Sequence, residues 1–270
     1  MKKWDSHFQL GDTVTAEQLD FFDKHGVIVF RNFISREKVN IFIDELKRLE
    51  QTWLEEGRDK VNGIPLKFGK DEHGNKTIQR LCFSSLYSDP LHQLLEDDRL
   101  KALTAFLGPY EGRIAENEKD GLVINNYINT PNSTFTQMGW HTDAPRDLFL
   151  GQKIMPMLNV GIHLDTCPFE NGGLRVIPGT HKQGVLKLLF GKKYFIDNSD
   201  DNREVGFDLN AGDLSVHDGR LWHRVKQSPK FGEESRRRVM YVPIVTGKYK
   251  PKDENSKTPF YHRFTSKVHH

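Results

Sequence analysis

From about Gly121 the chain breaks into short β-forming runs separated by Gly, Pro and Asn: Leu122–Asn129, Met155–Asp165, Leu174–Ile177, Asp213–His217 and Arg237–Val245. Strands this short, with turn residues between them and few helices, predict a β-sandwich or barrel. Helical periodicity dominates earlier. Thr15–His25 opens with a capping-box pattern, Thr15 and Gln18, and places Leu19 and Phe22 on one side with Phe21 beside them before Gly26 stops it. Val27–Phe30 reads as a strand. Ser35–Trp53 is a second helix, with Val39, Phe42, Ile43 and Leu46 on its apolar face, and Leu91–Leu107 is a third, ended by Gly108 and Pro109. The expected fold is mainly β with flanking helices, in one domain spanning 1–270, with a helical scaffold over about 1–120 and a β core over about 121–245. Gly57–Asn75, Asp197–Asn202 and Lys248–Lys257 read as loops or connectors.

Charge narrows the function classes. Thirty-nine Lys and Arg against 37 Asp and Glu leave a net charge of +2, which gives no field that selects nucleic acid or a membrane surface. No apolar run approaches the roughly 18 residues of a spanning helix, and the opening MKKWDSHFQL has two lysines but no apolar stretch after them, so no secretory leader is expected. Cys82 and Cys167 cannot make a disulfide framework, which points to a reducing, cytoplasmic setting.

The sharpest chemical feature is His141-Thr142-Asp143. On a strand or its frayed end, residues i and i+2 share a face, so an imidazole and a carboxylate can take adjacent positions on a metal. A third ligand has two candidates downstream, His217 and His223, the latter 80 residues beyond Asp143. Two histidines and one carboxylate on one face leave three open positions, the arrangement of non-haem iron(II) oxygenases. A structural zinc site would draw on cysteines, and this chain has only two, far apart.

Further polar groups accompany these ligands. Arg236, Arg237 and Arg238 open an apolar strand; one of them turned inward would hold a carboxylate bidentately, which lysine does less well. In Leu122–Asn129 one face carries Val123, Asn125, Tyr127 and Asn129, and in Leu158–Asp165 one face carries Asn159, Gly161, His163 and Asp165. These mainly polar sides either face water or line a cavity near His141. In the second case Asn125, Tyr127, Asn159 and His163 are pocket residues.

With those residues in hand, the chain resembles the phytanoyl-CoA dioxygenase family of iron(II)/2-oxoglutarate oxygenases. The likeness runs from about residue 15 to 245. It rests on the helix-then-strand opening Leu19–Phe33, on Trp140-His141-Thr142-Asp143, on the turn Asn171–Lys182, and on Gly212-Asp213, Leu221-Trp222-His223 and Arg237-Arg238 in that order. The resemblance implies a double-stranded β-helix, a cupin-like jelly roll. It favours His223 as the distal ligand, His217 falling too early, and Arg237 as the 2-oxoglutarate arginine, with Arg236 and Arg238 its register neighbours. Arg224-Val225 follows the distal histidine where the family often has Gly-Ser, and the interval from His223 to Arg237 is longer than the family's.

What the resemblance implies is a dioxygenase with Fe(II) on His141, Asp143 and His223, and with 2-oxoglutarate held by Arg237 in the neighbourhood of Asn125 and Tyr127. Dioxygen completes the reaction, which hydroxylates a C–H bond and releases succinate and carbon dioxide. The carboxylate of Asp143 favours hydroxylation over halogenation. The expected partner is a small polar or anionic metabolite, with Arg146 and His163 as candidate substrate contacts and Lys67, Lys70 and Arg80 at the mouth; neither nucleic acid nor membrane is expected, and the protein is expected as a monomer or homodimer. A metal-dependent hydrolase on the same three ligands and a non-catalytic jelly-roll binding protein are the alternatives.

Overall fold

Local chemistry sets the first elements. Helix α1 (Ala16–His25) starts at a complete capping box: the Thr15 hydroxyl accepts from the Gln18 backbone N–H, and the Gln18 side chain accepts from that of Thr15. It stops at Gly26, whose φ of 75° is open to a residue without Cβ. Strand β1 (Val27–Phe30) follows, buried throughout. Helix α2 (Arg36–Glu55) is capped by Ser35 and buries Val39, Phe42, Leu46, Leu49 and Trp53, a single stripe at helical spacing. The computed structural model describes residues 2–5, 7–131, 133–149, 151 and 153–259, apart from the side chains at 146 and 149.

Two expectations are corrected. The third helix is not continuous over Leu91–Leu107 but runs as α3 (Asp89–Leu95), α4 (Asp98–Ala102) and a 3-10 turn over Leu103–Leu107. Asp97 causes the break: its backbone is extended and its carboxylate accepts from the Arg99 N–H, capping a new helix instead of continuing the old one. Nor is Gly57–Asn75 a plain connector. Lys60–Val61 pairs with Ile64–Pro65 across Asn62-Gly63, both at positive φ, an Asn-Gly hairpin turn. Strand β2 (Lys67–Lys70) then pairs with β3 (Lys76–Leu81) at the edge of the larger sheet.

Eight further strands complete two sheets: β4 (Val123–Asn129), β5 (Met138–His141), β6 (Met157–His163), β7 (Gly173–Val176), β8 (Val205–Gly206), β9 (Leu214–Asp218), β10 (His223–Lys226) and β11 (Gly232–Val245). The larger sheet runs β1-β9-β6-β11-β4-β3-β2, with Arg113–Ile114 added against β11. The smaller runs β8-β7-β10-β5, with Lys2–Lys3 beside β8. From β4 onward the chain crosses back and forth between the sheets through antiparallel pairs, which makes the double-stranded β-helix. Strands from before residue 121 belong to the larger sheet too, so the helical scaffold and the jelly roll share it.

Strand alternation divides the chemistry. Leu158, Val160 and Ile162 of β6, Leu214 and Val216 of β9, Met240, Val242 and Ile244 of β11, and Ile124 of β4 point outward into one core with α1, α2 and α3. Each such side chain contributes about 1.5–3 kcal/mol when fully buried. The opposite, inward side carries Asn125, Tyr127, Asn159, His163, His217 and Arg237. The main apolar core thus lies outside the larger sheet, while the space between the sheets holds this polar group together with smaller apolar clusters, Val27 and Val29 against Leu174 and Val176, and Tyr127 against Phe135 and Val225.

Thr15→Ala removes one half of the capping box and is expected to cost about 1 kcal/mol of stability. Urea unfolding should show a lower midpoint at an unchanged slope.

Candidate metal centre

His141 ends β5 and His223 begins β10, and the two are direct partners in the antiparallel ladder. Their rings lie 4.1 Å apart. Each imidazole is oriented in the same way: Nδ1 of His141 meets the Gly139 carbonyl at 2.8 Å, and Nδ1 of His223 meets the Leu221 carbonyl at 2.9 Å. A carbonyl only accepts, so both Nδ1 atoms carry the proton and both Nε2 atoms present a lone pair. Asp143 follows on the turn after β5, held by its backbone N–H to the Gly219 carbonyl at 2.7 Å. Its Oδ2 lies 4.0 Å from Nε2 of His223 and accepts from Nδ2 of Asn159 at 3.3 Å. One ligand atom from each of His141, Asp143 and His223 falls within 4.8 Å of the others. This donor set, nitrogen, nitrogen and oxygen with a fixed tautomer, suits a divalent first-row metal with open positions.

His217 is not among the converging three. It sits on β9 with its ring 4.3 Å from that of His223, buried, with neither ring nitrogen hydrogen-bonded. Burial, with His223 close by, holds its pKa well below the usual histidine range, so it is neutral. His163 is also kept away from the cluster. It lies four residues along β6 from Asn159, about 13 Å of strand, with Nε2 3.0 Å from Ser215 Oγ and its pKa pushed down to about 4 by burial. The Arg146 side chain lies outside the described residues. Lys70 is exposed, and Arg80 is paired with Asp120 at 2.6 Å.

The arginine triplet separates by strand parity. Arg236 turns outward to Glu233 and to Asn126 Oδ1, and Arg238 turns outward to Asp165 at 2.6 Å. Arg237 turns inward. It is 4% exposed, with no carboxylate within ion-pair distance among the described residues. Its guanidinium donates to the carbonyls of Lys226 at 2.7 Å and Thr136 at 3.1 Å, its Nε has no partner, and it lies 5.6 Å over the Tyr127 ring. Asn125 donates to the Tyr127 hydroxyl at 3.2 Å, and its own Oδ1 is buried and unpartnered.

Three residues of the site escaped the sequence reading. Tyr241 follows Arg237 and Val239 at every second position, a periodicity that would have found it. It lies across Gly161, where a Cβ would come within 3.1 Å of its ring. Burial and the Asp143 charge raise its pKa, while Arg237 lowers it, so it stands as a neutral phenol. Tyr194 and Phe195 carry no such signal. Trp140 bonds its backbone to Phe195 and Asp197, which holds that segment alongside β5. Phe195, at φ 62°, stacks on His141 at 4.7 Å. Tyr194 donates its hydroxyl proton to the Leu188 carbonyl, so the Thr142 hydroxyl donates to Tyr194 at 2.7 Å.

Residues 22–231 match the family described as Phytanoyl-CoA dioxygenase (PhyH). A curated relative, the probable alpha-ketoglutarate-dependent hypophosphite dioxygenase of Stutzerimonas stutzeri, is 26% identical over 170 residues, covering 63% of this chain and 54% of the relative. The match thus spans about half the relative's length. Among solved structures, the non-heme alpha ketoglutarate dependent carbocyclase SnoK from nogalamycin biosynthesis superposes with a TM-score of 0.65 at 16% identity, over 97% of this chain and 94% of that one. HygX from Streptomyces hygroscopicus, solved with nickel and 2-oxoglutarate, gives 0.59 at 18% identity, over 86% and 87%. These structural likenesses carry the fold.

Two outcomes follow from the geometry. Asp143→Ala or His141→Ala should lower iron(II) affinity by at least about tenfold, the scale on which even outer-shell losses act, as read by equilibrium dialysis. His163 binds a proton near pH 6.5 when unfolded but only near 4 when folded. The unfolded state therefore holds more protons between those values, and stability falls as pH drops from 6.5 through 4. The loss reaches about 3 kcal/mol for a group shifted this far. Urea titrations across that window should show a shallower pH slope, by up to about one proton, in His163→Gln.

Proposed function

The chain belongs to the phytanoyl-CoA dioxygenase family, and from that premise we propose that it is an iron(II)- and 2-oxoglutarate-dependent dioxygenase that hydroxylates a small, polar or anionic metabolite in a reducing, cytoplasmic setting. The observation that carries this reading is the pairing of two features in one interior. His141, Asp143 and His223 converge on one point, and Arg237, a buried cation with no acid in ion-pair distance among the described residues, lies on the facing sheet. A metal hydrolase would need the three ligands but has no use for that arginine.

When bound, iron(II) with 2-oxoglutarate and dioxygen supplies oxidation of a C–H bond coupled to release of succinate and carbon dioxide. The chain's own residues do the positioning. His141 and His223 keep Nε2 unprotonated because Nδ1 is committed to a backbone carbonyl. Asn159 holds one oxygen of Asp143, which orients the carboxylate toward the histidines. Arg237 offers a charge-assisted contact to the distal carboxylate of 2-oxoglutarate, above the Tyr127 ring and beside Asn125. Phe195 and the Thr142–Tyr194 bond shield His141 from water. Arg146, three residues beyond Asp143, is assigned to an anionic group of the substrate. A compact anion agrees with the curated relative, whose name gives a small inorganic oxyanion as its substrate.

The test is an anaerobic titration of metal-free protein with iron(II) and then 2-oxoglutarate, following the visible charge-transfer band of a chelated keto acid. The band should form in the wild type. In Arg237→Ala iron should still bind, but band formation should need at least about 30-fold more 2-oxoglutarate, the scale for stripping a buried charge of its partner. Iron binding without a band would favour a hydrolase or a silent binding protein. Full iron binding and succinate formation in Asp143→Ala would refute the ligand set.

A further inference from the structure

The inner face of the larger sheet carries a second cation that the reaction above does not use. Lys67 on β2, Arg80 on β3 and Asn125 on β4 are successive partners across the ladder, so their side chains share one row at the open edge of the sandwich. Arg80 is neutralised by Asp120. Lys67 is not: among the described residues no carboxylate lies within ion-pair distance and no hydrogen bond reaches its ammonium. It rests instead 4.6 Å over the ring of Phe135. Phe135 is fully buried and stacks on Tyr127 at 4.5 Å and 18°, and Arg237 lies 5.6 Å from the centre of the Tyr127 ring.

A cation over an aromatic face recovers only part of what an ammonium loses when drawn from water. Burial beside the Arg80 guanidinium pushes the Lys67 pKa down to about 7, so a nearby anion would restore its charge at neutral pH. Lys67 and Arg237 each rest over a different ring of the stacked Phe135–Tyr127 pair, and Arg237 is the cation already assigned to 2-oxoglutarate. We propose that Lys67, over the Phe135 ring, anchors an oxyanion of the primary substrate, while Arg237, over the Tyr127 ring, is left to the carboxylate of 2-oxoglutarate. This rests on the oxygenase reading and adds a substrate feature to it: an anionic end held away from the carbon that reacts. Lys67 is a positioning and specificity residue.

The test uses the full chain loaded anaerobically with iron(II) and 2-oxoglutarate, at matched ionic strength, with acetate, malonate and inorganic phosphate as probes. At least one should raise the melting temperature of the wild type and of Lys67→Arg by about 3 °C near tenfold its dissociation constant, with no rise in Lys67→Met. The 2-oxoglutarate midpoint of the charge-transfer band should stay within about twofold in both variants. An equal rise in Lys67→Met, or no rise in the wild type with any probe, overturns the proposal. So does a weakening of 2-oxoglutarate binding by about tenfold or more in Lys67→Met, since Lys67 would then serve the cosubstrate. Absence of the band in the wild type counts instead against the oxygenase reading, and the anion arm is then scored in the same way without 2-oxoglutarate.

Discussion

The ladder contact between His141 and His223 is the constraint on which the site depends. Eighty-two positions separate them in the chain, yet antiparallel pairing of β5 and β10 makes them neighbours. The same closure sets Asp143, because its backbone N–H is spent on the Gly219 carbonyl in the turn that leads into β10. A one-residue slip of β10 would turn His223 to the other face and carry the turn away from Asp143 together. Geometry here is a property of strand register. The local sequence contributes the tautomers, through carbonyls two residues before each histidine.

Register also decides which charges stay unpaired. Three consecutive arginines occupy β11, and alternation sends Arg236 and Arg238 outward to Glu233 and Asp165 while Arg237 goes in. An unpaired guanidinium inside a protein costs several kcal/mol unless something compensates it. Backbone carbonyls and the Tyr127 ring compensate in part. The remainder is what an anion would offset, and the proposed role of Arg237 rests on it.

Much of this was legible in the chain. Thr15 and Gln18 marked the start of α1, and the alternation in Leu122–Asn129 and Leu158–Asp165 separated Ile124 and Val160 from Asn125 and Asn159, the division the two faces of the larger sheet display. His141 and Asp143 announced themselves by spacing. Spacing left the choice between His217 and His223 open, the resemblance favoured His223, and in the structure both lie inside with their rings 4.3 Å apart, the pairing of β10 with β5 bringing His223 beside His141. Phe195 and Tyr194 were invisible for a different reason. They sit on a segment without periodicity, brought to His141 by backbone bonds from Trp140 that no side-chain pattern records. Asp97 misled the helix reading because a side chain compatible with a helix interior serves equally well as a cap.

The distribution of polarity gives the fold its functional logic. Most β-sandwiches bury apolar faces against each other. Here the apolar side of the larger sheet is turned out to α1, α2 and α3, and the largest cluster lies in that layer. Between the sheets, smaller apolar clusters at Val27, Val29, Leu174 and Val176 and at Tyr127, Phe135 and Val225 leave room for Asn125, Asn159, His217, Arg237 and Tyr241, with several of their polar atoms unpartnered. Buried polar groups are ordinarily satisfied. A cluster of exceptions lying along one interior, beside the three convergent side chains of His141, Asp143 and His223, is what the proposed reading expects of a site that ligands complete.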